Sequence, residues 1–433
     1  MNSIDSSNIA YIKRYFKWDI ENKRFFGLTI KFEECYIVNC DEEMHRILES
    51  DQIPDSSIKY LILNYDNNKF SINSKYPIDC DKFRETFSNI EGVLFHKTRM
   101  TNTLLIKNDY LGMIGTLSNL KYLYIDRSKF SSDKFYRLPQ TLKYLEMYFD
   151  DEDDEYDFTD MLDMLPPLLE VFITNNTFQS ELANLPQSLK RLIIVGNNQP
   201  KHINSLPYGL EELVLWNTIY YNDYDNNFVF PENYFDNLPS TLKTLFIYNY
   251  GYALNNIPDS LEQLIINNWS FDGIIYNLSA NIHTFICYEM VNIVEIVFPV
   301  NLKTLILEKF NYAILEKNIM PDSITTLKVN NVFELISKKI KFPESLDKLY
   351  SSHQSDINNV IDTSQLPATL KKYCILYKYK DIEDQMMNSD GTDIIDRPPN
   401  YKIKTGNLEI SFKHYNYITQ EKVILGRYFG SIF

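Results

Sequence analysis

The chain has 433 residues, 44% of them apolar, and a formal net charge of −15. It is long enough for several ordinary domains or for one long repeat array, and its acidity argues against generic binding to nucleic acid or to anionic membranes. No run of about eighteen apolar residues is present to span a bilayer.

The opening Met1-Asn-Ser-Ile-Asp-Ser-Ser7 lacks the basic and apolar regions of a signal peptide. Cys35, Cys40, Cys80, Cys287 and Cys374 are odd in number and scattered, which fits a reduced, cytosolic setting. Glycine is scarce, with 12 in the whole chain. Asn, Asp and Ser must therefore supply the turns, and Asn tolerates left-handed backbone better than most residues.

In chain order, Ile9 to Lys17 reads as a short helix, and Phe25–Ile30 and Cys35–Val38 read as strands. Glu42 to Ser50 reads as a helix with Asp41 at its N-cap. One phrase then begins to recur. It opens in long form at Ile53-Pro-Asp-Ser-Ser-Ile58-Lys-Tyr-Leu61-Ile-Leu63, and a degenerate copy follows at Ile90-Glu-Gly-Val93-Leu-Phe95. Clean copies start at Leu120, Leu142 and Leu169. The clearest are Leu185-Pro-Gln-Ser-Leu-Lys-Arg-Leu-Ile-Ile194, Leu206-Pro-Tyr-Gly-Leu-Glu-Glu-Leu-Val-Leu215, Leu238-Pro-Ser-Thr-Leu-Lys-Thr-Leu-Phe-Ile247 and Ile257-Pro-Asp-Ser-Leu-Glu-Gln-Leu-Ile-Ile266. Further copies enter their strands at Ile282, Leu302, Ile324, Leu346 and Leu370. The usual period is roughly twenty to twenty-two residues, within the range of stacked repeat units.

Three units are longer. One insertion holds Asp150-Asp-Glu-Asp-Asp-Glu-Tyr-Asp157, a second holds Tyr220-Tyr-Asn-Asp-Tyr-Asp225, and the third follows Ile62. The acidic run reads as a solvated loop, because it lacks the glycine and spacing of a calcium-binding hand. After Tyr379 the phrase stops. Asp381 to Asp396 is polar and acidic, Asn407–Phe412 alternates like a strand, and Lys422–Leu425 does so more weakly.

Leu-x-x-Leu-x-Leu places a short strand at the end of each phrase, with side chains on alternating sides. Pro at the start fixes φ and biases its predecessor toward extended backbone, which suits the corner before the strand. One unit has roughly four buried apolar side chains, each worth about 1.5–3 kcal/mol. Ordering its backbone costs roughly 1–2 kcal/mol per residue. No unit can stand alone, so neighbours must stack.

These residues resemble a leucine-rich repeat protein over most of 53–376. The Leu-Pro-x-x-Leu-x-x-Leu form resembles, more narrowly, the FNIP-type repeats of social amoebae and of giant DNA viruses that infect amoebae. The expected fold is an α/β-type repeat solenoid: a leucine-rich-repeat horseshoe with a parallel concave sheet, a mostly irregular convex side and terminal caps. Asn197 stands at the ninth position from the first Leu, where the family places it, but Asn176, Asn217, Asn249, Asn268 and Asn331 stand at the eighth. That departure predicts irregular, extended convex segments in place of full helices. The expected organisation is an N-terminal cap over 1–52, the solenoid over 53–380, an acidic linker over 381–399 and a C-terminal cap over 400–433.

The strand residues pointing away from the leucines form a predicted concave stripe of β-branched and aromatic side chains. One reading is that they pack along the sheet and satisfy β propensity. A sharper one is an exposed apolar patch with aromatic margins that binds a protein partner. A third is that an insertion or terminal segment folds over it. The candidate partner-binding residues are Tyr122, Tyr124, Tyr144, Tyr148, Ile193, Val214, Trp216, Phe246, Tyr248, Ile265, Ile286 and Tyr288.

No phosphate-binding Gly-rich loop, zinc-protease His pair or Ser-nucleophile elbow occurs. Cys35 and Cys40 have no second pair or nearby His ligands, and His283 and Cys287 read as structural. Cys374 falls on the outward row, where modification is conceivable. The reading is a non-enzymatic protein-interaction module without a cofactor, acting on a protein partner and not on nucleic acid or membrane. The resemblance implies a cytoplasmic setting, or the host cytoplasm or virion for a viral protein. The alternatives are a self-associating homo-oligomer or virion component, and a substrate adaptor for ubiquitin ligation, since FNIP-type proteins can carry an F-box.

Overall fold

The computed structural model describes residues 30–38, 41–50, 54–64, 79–96, 104–106, 112–130, 138–149, 162–175, 182, 184–195, 202–203, 205–216, 230–276, 278–351, 363–377, 400–405 and 408–414. The expected elements at Ile9–Lys17, Phe25–Thr29 and Lys422–Leu425 lie outside these residues, as do both tyrosine- and acid-rich insertions, the 381–399 segment and Asn176, Asn197 and Asn217. The chain divides into two compact units, one ending at Glu212 and the other beginning at Leu213. Each is a run of parallel strands at the repeat spacing, so the predicted parallel-strand solenoid is the fold observed.

The first unit contains β1 (Cys35–Val38), β2 (Tyr60–Asn64), β3 (Gly92–His96), β4 (Leu104–Ile106), β5 (Tyr122–Phe130), β6 (Tyr144–Phe149), β7 (Val171–Thr174) and β8 (Arg191–Val195). Its strands pair in parallel with Leu61, Val93, Leu123, Leu145, Phe172 and Leu192 in one row. Helix α1 (Asp41–Glu49) begins at Asp41, the residue expected as its N-cap, one residue before the expected start at Glu42, and α2 (Cys80–Thr86) is capped by the Asp79 carboxylate.

The second unit contains β9 (Glu212–Trp216), β10 (Thr244–Ile247), β11 (Gln263–Ile275), β12 (Thr284–Ile296), β13 (Thr304–Lys309), β14 (Thr326–Val329), β15 (Lys348–Ser351), β16 (Lys372–Tyr377), β17 (Asn400–Thr405) and β18 (Leu408–His414). From β10 to β16 the row Leu245, Leu264, Phe285, Leu305, Leu327, Leu349, Tyr373 runs without a slip. Strand β18 adds to β16 in parallel, and β17 pairs antiparallel with β18. The alternation at Asn407–Phe412 announced β18; β17 was not anticipated.

The corner explains why the phrase repeats. The N–H of the strand-entry leucine donates to the carbonyl of the phrase proline, at 3.0 Å for Leu189 to Pro186, Leu242 to Pro239 and Leu261 to Pro258. Proline loses nothing there, because its missing N–H is not the group required. The carbonyl after the leucine then accepts two N–H groups from the next unit. Lys190 takes those of Glu211 and Glu212 at 2.8 and 3.0 Å, and Lys303 takes those of Thr325 and Thr326 at 2.9 and 3.0 Å.

The polar residue before the leucine adds a side-chain staple. Ser188 Oγ lies 2.8 Å from Pro167 O and 2.7 Å from Leu169 O, and Ser323 Oγ lies 2.7 Å from both Val300 O and Leu302 O. The residue after the leucine is charged in most units, giving exposed pairs at Lys121–Glu91 (3.0 Å), Lys143–Glu170 (3.0 Å) and Lys190–Glu170 (3.2 Å), although Lys121 and Lys143 stand on neighbouring rungs with the same sign. Such exposed pairs stabilise little.

The backs of the turns differ from unit to unit. Strands β11 and β12 each run on to 13 residues and form a second parallel ladder beyond the corner. The next two units instead carry short helices, α3 (Ala313–Lys317) and α4 (Val332–Ser337). The expectation of extended backs therefore holds for β11 and β12 and fails for the two helical ones. Asn331, one of the eighth-position asparagines, caps α4 by accepting the Phe333 N–H at 2.9 Å, and Asn249 takes a positive φ of 62°. Replacing Ser323 with Ala should cost about 1 kcal/mol in urea unfolding, because its hydroxyl joins two turns. An unchanged midpoint would show that the staple does not hold them.

Candidate functional site

The predicted stripe points away from the leucine row, as the alternation requires, but it does not meet solvent. Tyr124, Tyr144, Tyr148, Ile193, Val214, Trp216, Phe246, Ile265, Ile286 and Tyr288 are all buried, and only Tyr122 and Tyr248 are half-buried. Ile265 is 3% exposed, against 0% for Leu264 on the opposite face of the same strand. The expectation of an exposed stripe is corrected accordingly: from Tyr124 to Ile286 the central outward row is core as well, and farther along Ile306 and Tyr350 are half-buried. Cys374, expected on the outward row and open to modification, is also fully buried.

In the first unit Tyr124, Tyr144, Glu146 and Tyr148 come together. Tyr144 Oη donates to Glu146 Oε2 at 2.5 Å, and Tyr148 Oη donates to Glu146 Oε1 at 2.8 Å. The carboxylate is thus held between two phenols on one face of β6. Burial, and then the Glu146 charge, hold both phenols well above the ordinary tyrosine range. In the second unit Trp216 stacks edge-on against Phe246 and Tyr248, with ring centroids 4.9 and 5.1 Å away.

The outward row also holds a charge pair that sequence reasoning did not single out. Lys328 follows Ile306 in the register and forms a buried ion pair with Glu308. Burial lowers the Lys328 pKa, opposed by the Glu308 charge beside it. A lysine interrupting an otherwise apolar row was the signal available. Cys287 donates its thiol to Glu289 O, and burial raises its pKa, as befits a packed side chain. His283 is half-exposed on the charge ladder, 3.4 Å from Glu262.

An open cleft of about 540 Å³ lies in the second unit, on the backs of the turns. One wall is the latter half of β12, with Glu289, Met290, Asn292, Ile293 and Val294; the other is Lys309 to Lys317. It begins at the rung where Glu289 meets Lys309, whose side chains pair at 3.2 Å. Asn292 has a positive φ of 62° where the β11–β12 register shifts. Val294 is 45% exposed in the cleft. Among the described residues no group of three or more His, Cys, Asp or Glu could hold a metal ion, and no helix is long and apolar enough to cross a membrane.

Ladder and corner define a solenoid built of leucine-rich-repeat-like units. No family model matches the chain, and no curated protein matches it. Among solved structures, the giant-virus protein CroV588, described as a novel circular LRR protein, shares 13% identity, with 89% of this chain and 70% of that chain covered, at a TM-score of 0.33.

Two outcomes follow from the burial. Ile265→Ala and Leu264→Ala should each cost roughly 2–5 kcal/mol in chemical denaturation, because both leave a cavity. A variant as stable as the parent would restore the exposed stripe. The second concerns pH. A buried phenol whose folded pKa is raised adds stability that is intact below its unfolded value of about 10 and is lost above it. Tyr144 and Tyr148 are such groups, and Tyr60 and Tyr312 are pushed up to about 12. Lys328, with its pKa lowered, acts in the opposite sense but is one group against several. Stability should fall as pH rises past that value, with the last tyrosinates absorbing only as the chain unfolds; smooth ionisation of every tyrosine in a folded chain would contradict this.

Proposed function

We propose that the chain is a non-enzymatic protein-interaction scaffold, kin to the FNIP-type repeat proteins, acting in the cytoplasm of an amoeba or of a virus-infected one. The supporting observation is the open cleft on a repeat stack whose two ladder faces are filled by packing. A stack so filled offers recognition on the backs and rims of its turns, and the backs of this one vary from unit to unit. Tyr122 and Tyr248, the half-buried members of the stripe, remain the candidates for contact from the strand side; the other ten serve by fixing the scaffold. Burial of most of the stripe favours this reading over self-association through it.

Immobilised chain incubated with amoeba lysate should capture a partner saturably, and free chain should compete it away. Light scattering on the purified protein should give a monomer at micromolar concentration. Capture that free chain cannot compete, or that heat-unfolded chain reproduces, would contradict the proposal, as would a stable homo-oligomer.

A further inference from the structure

We propose that the latter half of β12 is a docking edge for an extended peptide, which adds to it as a strand. The inference rests on the reading of the chain as a protein-binding scaffold and names the kind of partner segment it takes. Strand β12 runs from Thr284 to Ile296, but its neighbour β13 ends at Lys309, in register with Glu289. Beyond that rung β12 is paired only with β11, through Met290 with Trp269 and on to Ile296 with Ile275. Among the described residues no strand occupies its other side from Met290 to Ile296.

The cause is a change of back structure between consecutive units. Neighbouring strands sit about 4.8 Å apart, whereas a helix with its side chains is about 10 Å across. Where the extended back of β12 is followed by α3, the helix cannot close onto the strand edge, and the cleft is the gap that remains. The main chain is open on that side. Val297 donates its N–H to Ile275 O at 2.9 Å, so by alternation the N–H of Ile296 points away from β11, toward the side that β13 leaves open. An edge with its backbone groups directed outward is the usual template for an added strand.

The lining says which side chains the peptide carries. Val294 is 45% exposed, and Phe310 is half-buried opposite it, so an apolar residue is favoured there. Glu289 is already paired with Lys309 at 3.2 Å. Lys317 is exposed on the far wall and makes no ion pair among the described residues, which leaves one positive charge to be met. The occupant is therefore an extended segment alternating small apolar and acidic residues.

The test uses the full chain and a fluorescein-labelled acetyl-Val-Glu-Val-Glu-Val-Glu-amide, followed by polarisation. The peptide should bind saturably. Its fully N-methylated analogue, which cannot donate from the main chain, and the Val-Lys counterpart should each bind at least ~10-fold more weakly. Val294→Asp puts a carboxylate on the exposed side chain that meets the apolar residue and should abolish binding, while Val294→Ala should retain it. Lys317→Glu, on an exposed side chain, should weaken the Val-Glu peptide and leave the fold intact by circular dichroism. Equal binding of the N-methylated peptide, or undiminished binding by folded Val294→Asp and Lys317→Glu chains, would overturn the proposal. Partner capture from lysate that Lys317→Glu and Val294→Asp leave unchanged would also overturn it, while leaving the scaffold reading in place.

Discussion

Everything in this fold depends on the corner at which each unit enters its strand. The proline carbonyl accepts the leucine N–H three residues on, and the next carbonyl accepts two N–H groups from the following unit. Those bonds set each strand one rung from its predecessor with no freedom to slip. A slip by one residue would exchange the two faces of the strand. Serines such as Ser188 and Ser323 hold neighbouring turns at the same place. The leucine rows stack because the corner has already been aligned, and their burial then holds the alignment.

Once the register is fixed, what matters is that the strands are buried on both faces. From Tyr124 to Ile286 the central outward row is nearly as dry as the leucine row, with Ile193 and Val214 at 0% exposure, and farther along Ile306 and Tyr350 are half-buried. A polar group there has to be satisfied inside the protein. Glu146 is, by two phenols, and Lys328 is, by Glu308. Removing one partner of such a pair leaves the other as a buried uncompensated group, which is costly. The buried polar positions are therefore constraints on the scaffold, and the variable chemistry of the molecule sits on the backs of the turns.

Much of this is legible in the sequence. The phrase locates the strands, the corner and the sidedness of each residue. It leaves open whether the outward side chains pack along the sheet, meet water or lie under another segment, and their burial favours packing. Leu192-Ile-Ile194, Leu213-Val-Leu215, Leu245-Phe-Ile247 and Leu264-Ile-Ile266 are continuous apolar runs, and parallel strands covered on both faces read that way, whereas a half-exposed strand alternates. The charged residue after the entry leucine, at Glu91, Lys121, Lys143, Glu170 and Lys190, is also readable as a row of cross-unit pairs. The cleft was not readable. It depends on where an extended back gives way to a helix, and the five residues of α3, Ala313-Ile-Leu-Glu-Lys317, are too few to carry a helical period.

The native cysteines give the most direct test of two-sided burial, because they report on both faces without mutation. Cys287 stands on the leucine side of β12 and Cys374 on the outward row of β16, both buried, while Cys80 is exposed. Alkylation of the folded chain, read thiol by thiol by mass spectrometry, should modify Cys80 promptly and leave Cys287 and Cys374 untouched until denaturant is added. Modification of Cys374 at a rate comparable to that of Cys80 would mean that the outward face is open to water.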